Sequence, residues 1–256
     1  MMPSSMKFVS AVKAFTPRPV KNLLKRFRDF ALWNPHQVIA YSQEGEDLIL
    51  NRIFGTQNTG FYVDVGANHP QRYSNTYLFY QRGWRGINID AMPGSMELFK
   101  KLRPRDINLE VAILKETGNK TFFQFNEPAL STFSKELAKR RDGHNGFKII
   151  RTIEMNSLPL WQILDDYLSV KQQGEIDFLS VDVEGLDHDV LESNDWSRFR
   201  PKVVLLELSA GQLDIASSDP VFQLMRKNHY KLFAKSLLTF FFMSEEYIRQ
   251  LNSAGP

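Results

Sequence analysis

The spacing of apolar residues changes from segment to segment along the chain, and each change marks a switch between helix and strand. Leu48, Ile49 and Ile53 share one side of residues 43–54, with Gly55 just beyond, which predicts a helix over 43–54. The short apolar run Gly60-Phe-Tyr-Val-Asp-Val-Gly66 predicts a strand ending in a glycine turn. The alternation continues with a helix over 74–81 stopped by Gly83, a strand over 86–90, a helix over 94–102 closed by Pro104, and a strand over 108–114. Strands at 178–182 and 203–207 follow helices at 160–168 and 187–192. Both strands are apolar throughout, as in a parallel sheet covered on two faces. A helix over 220–228 precedes strands at 230–234 and 238–243, which lie too close together for a helical crossover and so predict an antiparallel hairpin. Residues 127–155 show no sustained period and read as a long irregular insertion over the active edge, with the basic run Lys139-Arg140-Arg141 as a clamp for substrate phosphates.

Composition narrows the picture. Of 256 residues, 43% are hydrophobic, enough for a full α/β core. The absence of cysteine excludes disulfides, thiolate zinc sites and a cysteine nucleophile, and fits a cytoplasmic protein. No segment approaches the roughly 18 to 20 apolar residues of a membrane span. Residues 1–40 hold seven lysines and arginines against the single acid Asp29, interleaved with Phe8, Val12, Phe15, Leu24 and Phe27. This predicts a basic amphipathic extension ahead of one catalytic domain over 41–256. The extension packs on the domain or on a second subunit of a homodimer, with peripheral contact to an anionic membrane as the alternative. The rest of the chain is slightly acidic and resembles no nucleic-acid module, so a nucleic-acid partner is not expected.

Candidate chemistry sits where open α/β sheets bind ligands, at the carboxyl ends of the strands. After the first strand comes Asp64-Val-Gly66-Ala67-Asn68, in which Gly66 lets the backbone turn sharply and approach a cofactor. The second strand ends at Asp90, whose two acceptor oxygens suit ribose hydroxyls. Gly66-Ala-Asn-His-Pro-Gln departs from the G-x-G-x-x-G pyrophosphate cradle, which favours S-adenosylmethionine over NAD. A nicotinamide-dependent oxidoreductase and a non-catalytic S-adenosylmethionine-binding protein remain the alternatives.

Two routes to a reacting hydroxyl fit the residues. In one, His69 or His188 is the general base, with His69 favoured because it directly follows the cofactor turn. In the other, Asp182 and Glu207, at the ends of neighbouring strands, join Glu184 or a histidine around a divalent ion such as Mg2+ or Mn2+ that acidifies the hydroxyl. Asp187 and Asp189 read as exposed charges at a helix N-terminus, and His144 and His229 as surface residues.

Four motifs occurring in one order resemble the FkbM family of methyltransferases: Ser42-Gln-Glu-Gly-Glu-Asp-Leu48, Phe61-Tyr-Val-Asp-Val-Gly-Ala-Asn68, Gly83-Trp-Arg-Gly-Ile-Asn-Ile-Asp90 and Phe178-Leu-Ser-Val-Asp-Val-Glu-Gly185. The resemblance runs from about Tyr41 to Met243. It implies a Rossmann-like class I methyltransferase fold, with a seven-stranded mostly parallel sheet and a C-terminal antiparallel hairpin. It also implies an S-adenosylmethionine-dependent O-methyltransferase acting on a sugar, nucleotide sugar or glycan hydroxyl. On this resemblance Asp64, Gly66, Ala67 and Asn68 hold the methionine end, Asp90 the ribose, and Val111 and Ala112 border the adenine, while Gln43 and Glu44 cover the pocket.

Overall fold

The computed structural model describes residues 36–168, 175–207 and 219–253. Most of the basic extension, residues 1–35, lies outside the described residues. Residues 40–256 form one compact unit.

Seven strands make the main sheet: β1 (Phe61–Val65), β2 (Arg85–Asp90), β3 (Ile107–Glu110), β7 (Phe178–Val181), β8 (Val203–Glu207), β9 (Tyr230–Lys235) and β10 (Thr239–Ser244). Their spatial order is β3-β2-β1-β7-β8-β10-β9. All pairs from β3 to β8 are parallel, and β10 runs antiparallel to both β8 and β9. The order reverses between β1 and β7, so the crevice for a ligand opens at the carboxyl ends of those two strands.

Helices cover both faces, and strand alternation decides which residues meet them. Val63, Val65, Ile87, Leu179 and Val204 point to one side, where they pack on α5 (Leu160–Tyr167), α6 (Asp187–Glu192) and α7 (Pro220–Lys227). Tyr62, Phe178, Val203, Leu205 and Phe241 point to the other, against α1 (Glu46–Ile53), α2 (Tyr77–Gln81) and α8 (Glu245–Ser253). An aromatic knot fixes this second layer: the Phe178 ring lies 5.0 Å from Phe79 and 6.2 Å from both Phe54 and Trp84. Helix α3 (Met96–Leu102) follows β2 and buries Met96 and Phe99 beside Ala67.

The structure departs from the sequence reading in three places. The strand expected over 108–114 breaks at Val111, whose N–H is held by the Asp90 carbonyl (3.1 Å). Beyond it, β4 (Ala112–Ile113) leaves for a second sheet of order β4-β6-β5. The insertion is not irregular: β5 (Gly118–Phe125) and β6 (Ile149–Leu158) form a long antiparallel hairpin enclosing a 3-10 turn at Pro128–Leu130 and α4 (Lys135–Arg141). Helix α8 also went unforeseen. No helix among the described residues is long and apolar enough to cross a membrane.

Candidate cofactor and methyl-transfer site

A cavity of about 710 Å3 lies at the switch point, inside the roughly 300 to 1,000 Å3 common for small-molecule sites. The carboxyl ends of β1, β2, β7 and β8 form its floor, and Phe122 and residues 128–133 of the inserted hairpin lean over it.

Gly66 turns the chain out of β1 with φ 85°, and its N–H reaches the Ile89 carbonyl at 2.9 Å. A Cβ there would lie 1.8 Å from the Asp182 carbonyl oxygen, so only glycine lets the ends of β1 and β7 approach this closely. Asp90 accepts from the backbone N–H of Asn68 (2.8 Å) through one carboxylate oxygen and of Met92 (2.7 Å) through the other. These bonds fix the carboxylate at the cavity wall and leave each oxygen lone-pair capacity for a ribose hydroxyl. Burial raises the Asp90 pKa, and the backbone bonds oppose the shift.

Asp64 is buried beneath the turn and accepts from Thr76 Oγ1 at 2.9 Å. Thr76 in turn accepts from the fully buried Arg103 (2.9 Å), which also donates to Asp106 (2.8 Å) and to the Tyr62 hydroxyl (2.7 Å). Burial pushes the Asp64 carboxyl up, and the Arg103 guanidinium pulls the other way. A buried ionic network is a scaffold for the site more than a source of net stability.

The register that sets Val181 beside Leu206 brings the next residues, Asp182 and Glu207, together. Asp182 opens onto the cavity, and desolvation by the surrounding protein, followed by the Glu207 and Glu184 carboxylates, raises its pKa well above the usual carboxylate range. Burial and Glu184 also raise Glu207, while the hydrogen bond it shares with Asp182 opposes the rise. Two neighbouring carboxyls that cannot both ionise share a proton. The pair is joined by a hydrogen bond, and Glu207 is half-buried and faces the cavity.

Most residues expected at the site line this cavity: Gln43, Asp64, Gly66, Ala67, Asn68, His69, Asp90, Val111, Asp182, Glu184 and Glu207. Six expectations are corrected. The Glu44 carboxylate turns away to Ser236 Oγ (2.7 Å) and Leu238 N (2.8 Å), pinning the β9–β10 turn. The left-handed Gly45 (φ 86°) makes the difference, sending Glu46 to the cavity wall instead. Ala112 is buried in the second sheet opposite Ser157 and does not line the cavity, although its neighbours Val111 and Ile113 do. His188 stands on α6 outside the cavity, with Nδ1 3.7 Å from Glu192. His69 does line the cavity, but its Nδ1 accepts from the N–H groups of Gln71 (3.1 Å) and Arg72 (3.0 Å). Its proton therefore sits on Nε2, which makes that nitrogen a donor and not a base. Burial and Arg72 lower its pKa, which keeps the ring neutral.

Glu184 is the fifth correction: its carboxylate meets Arg141 at 2.5 Å and does not complete a metal triad with Asp182 and Glu207. Among the described residues the three-ligand cluster that forms is His188, Asp189 and Glu192, where Glu192 is already paired with Lys115 at 3.0 Å. Asp187 is buried, not solvent-exposed: its carboxylate accepts from Val183 N at 3.3 Å, and burial raises its pKa to about 7. His144 and His229 are exposed, as read from the sequence.

The sequence reading assigned no contact to Thr132 and took Arg141 for a phosphate clamp, but both fasten the inserted hairpin to the floor. Thr132 Oγ1 donates to the Glu184 carbonyl (3.0 Å), and Arg141 holds both the Glu184 carboxylate and the Leu130 carbonyl (2.9 Å). No local pattern marks these contacts, because both act across more than 40 positions of sequence.

A parallel sheet closed by an antiparallel hairpin, with a glycine turn after its first strand and a carboxylate after its second, defines the class of Rossmann-like S-adenosylmethionine-dependent methyltransferases. The Methyltransferase FkbM domain family matches residues 64–232. The chain belongs to that family. No curated protein matches the sequence. Among solved structures, a TehB-like SAM-dependent methyltransferase from Corynebacterium glutamicum is 10% identical, with a TM-score of 0.38 over 90% of this chain and 100% of that one. An O-methyltransferase from Bacillus cereus in complex with SAH is 13% identical, with a TM-score of 0.37 over 92% of this chain and 94% of its own. The 1,6-didemethyltoxoflavin-N1-methyltransferase of Burkholderia thailandensis is 11% identical, with a TM-score of 0.36 over 95% and 90%.

Proposed function

We propose that this protein is an O-methyltransferase acting on a hydroxyl of a sugar, nucleotide sugar or glycan, with Glu207 as the proton acceptor. The observation that carries the reading is the hydrogen-bonded Asp182–Glu207 carboxyl pair, set side by side by sheet register on the wall of a cavity whose other residues suit an adenosyl cofactor. S-adenosylmethionine supplies an electrophilic methyl on a sulfonium centre when bound. The residues fit it: Asp90 offers acceptors for the ribose, the Gly66–Asn68 turn and Gln43 suit the methionine end, and Val111 borders the adenine.

An alcohol is barely acidic at neutral pH, so the acceptor must lose its proton as its oxygen gains the methyl. Glu207 takes that proton, while the Asp182 O–H bond to Glu207 keeps the accepting oxygen aimed. Holding the two reactants together supplies the rest, since orientation is worth up to about 7 to 11 kcal/mol of barrier. Asn75 and Tyr73 give the cavity hydroxyl-binding groups of the kind a sugar needs. A Mg2+ or Mn2+ ion between Asp182 and Glu207 is the second reading, favoured by their mutual repulsion.

Titrating S-adenosylhomocysteine and NAD against the protein tests the cofactor: selective binding lost in Asp90→Ala is expected, and a preference for NAD refutes the reading. Methyl incorporation into a panel of glycosides and nucleotide sugars, with and without chelator, then tests the acceptor. Activity abolished by Glu207→Gln and unchanged by chelator identifies proton acceptance by the carboxylate. Activity lost with chelator and restored by Mg2+ assigns the pair to a metal.

A further inference from the structure

A second cavity of about 660 Å3 opens beside the first and shares three of its walls, Leu114, Phe133 and Leu186. Its rim carries Lys115, Lys120 and Lys135 against Glu116 and Asp189, and its apolar side is completed by Phe123. Lys135 forms no ion pair among the described residues. Lys120 meets Glu116 only at 3.8 Å, with both side chains well exposed, and Lys115 meets Glu192 at 3.0 Å near the surface. Exposed pairs of this kind contribute little and exchange readily for a ligand oxyanion.

The charges of the two cavities are opposed. The first is walled by Glu46, Asp64, Asp90, Asp182, Glu184 and Glu207, with Arg72 its lone arginine or lysine, so even with Glu184 paired to Arg141 its acids outnumber its cations and it offers an acceptor oxyanion little counter-charge. The basic run expected to clamp phosphates does not serve here: Arg141 is spent on Glu184, and neither Lys139 nor Arg140 lines either cavity. An acceptor carrying both a hydroxyl and an oxyanion therefore has one electrostatically favourable orientation.

We propose that the second cavity seats an oxyanion of the acceptor, phosphoryl or carboxylate, while its hydroxyl reaches Glu207 past Leu114, Phe133 and Leu186. The inference rests on the methyl-transfer reading for the hydroxyl end only. Inorganic pyrophosphate and glucuronate, titrated separately into the full-length protein, test it, with S-adenosylhomocysteine titrated in parallel. At least one anion binds, and its Kd rises about tenfold or more in a protein carrying Lys120→Glu and Lys135→Glu, while S-adenosylhomocysteine affinity is unchanged. Pyrophosphate binding identifies a phosphoryl acceptor and glucuronate binding a carboxylate. The single Lys135→Gln variant, at an exposed position, gives the same direction if the double change disturbs folding. Binding of neither anion, or a Kd that the lysine changes do not move, overturns the proposal. Anion binding without S-adenosylhomocysteine binding overturns the methyl-transfer reading alone.

Discussion

Gly66→Ala separates backbone conformation from close approach, because the structure holds a matched control. Gly66 (φ 85°) and Gly83 (φ 94°) share a left-handed backbone, but a Cβ on Gly83 meets nothing within 4 Å whereas one on Gly66 falls 1.8 Å from the Asp182 carbonyl oxygen. At Gly83 alanine meets the left-handed penalty of about 1 to 2 kcal/mol, offset in part by a stiffer unfolded chain. At Gly66 the obstructing atoms are backbone, tied by the Asp182 N–H to the Val65 carbonyl at 2.9 Å, so the ends of β1 and β7 must part. Overpacking of this kind adds about 1 to 3 kcal/mol or more. For a domain of this size, about 2 to 4 °C of melting temperature accompanies each kcal/mol. Thermal unfolding should therefore show Gly83→Ala lowered by only a few degrees and Gly66→Ala by about 5 to 15 °C. S-adenosylhomocysteine titration should show binding kept in the first and lost in the second. Equal melting temperatures with equal affinities would refute the close-approach argument.

The other predictions concern buried charge. Asp187 titrates at about 7 in the fold against 3.8 in a free chain, so its proton stays on in the folded state while the unfolded state releases it. Stability therefore falls as pH rises from about 4 to 7 and levels above that. Asp187→Asn should remove this slope, with a gain of up to about 4 kcal/mol at pH 8 relative to pH 4; parallel melting curves against pH would count against it. Arg103→Met leaves Asp106 buried without its cation and frees Thr76 from the chain leading to Asp64, for a loss of about 3 to 5 kcal/mol. A drop in melting temperature under about 3 °C would show that network to be dispensable.

How much of this was legible in the sequence follows from which force shapes each element. The strands of the main sheet are buried on both faces, so their apolar runs stood out, and Asp64 and Asp90 stood out as carboxylates at the ends of such runs. The hairpin of β5 and β6 gave no such signal, because Ile149–Leu158 is mostly half-buried or exposed and is held by backbone pairing to its partner strand. A strand stabilised by its ladder leaves little imprint on hydrophobic periodicity. Arg103 was hidden for the opposite reason: an arginine after a helix reads as a solvated C-terminal charge, yet here it is fully buried.

The same distinction governs the carboxylates after β7. Asp182 and Glu184 alternate along extended backbone, and sequence spacing alone sends both into one site. In the fold Glu184 adopts φ 54°, which breaks that alternation, and its side chain is claimed by Arg141 from the inserted hairpin. A non-glycine residue in this region persists only where its surroundings hold it, and the Thr132 and Arg141 bonds to Glu184 provide that hold. With Glu184 paired off, Asp182 is left with Glu207, the neighbour supplied by sheet register. The proton-sharing pair therefore depends on the inserted hairpin as well as on the sheet. Strand pattern alone identified the residues at the floor, and the long-range contacts of the hairpin decide which of them act together.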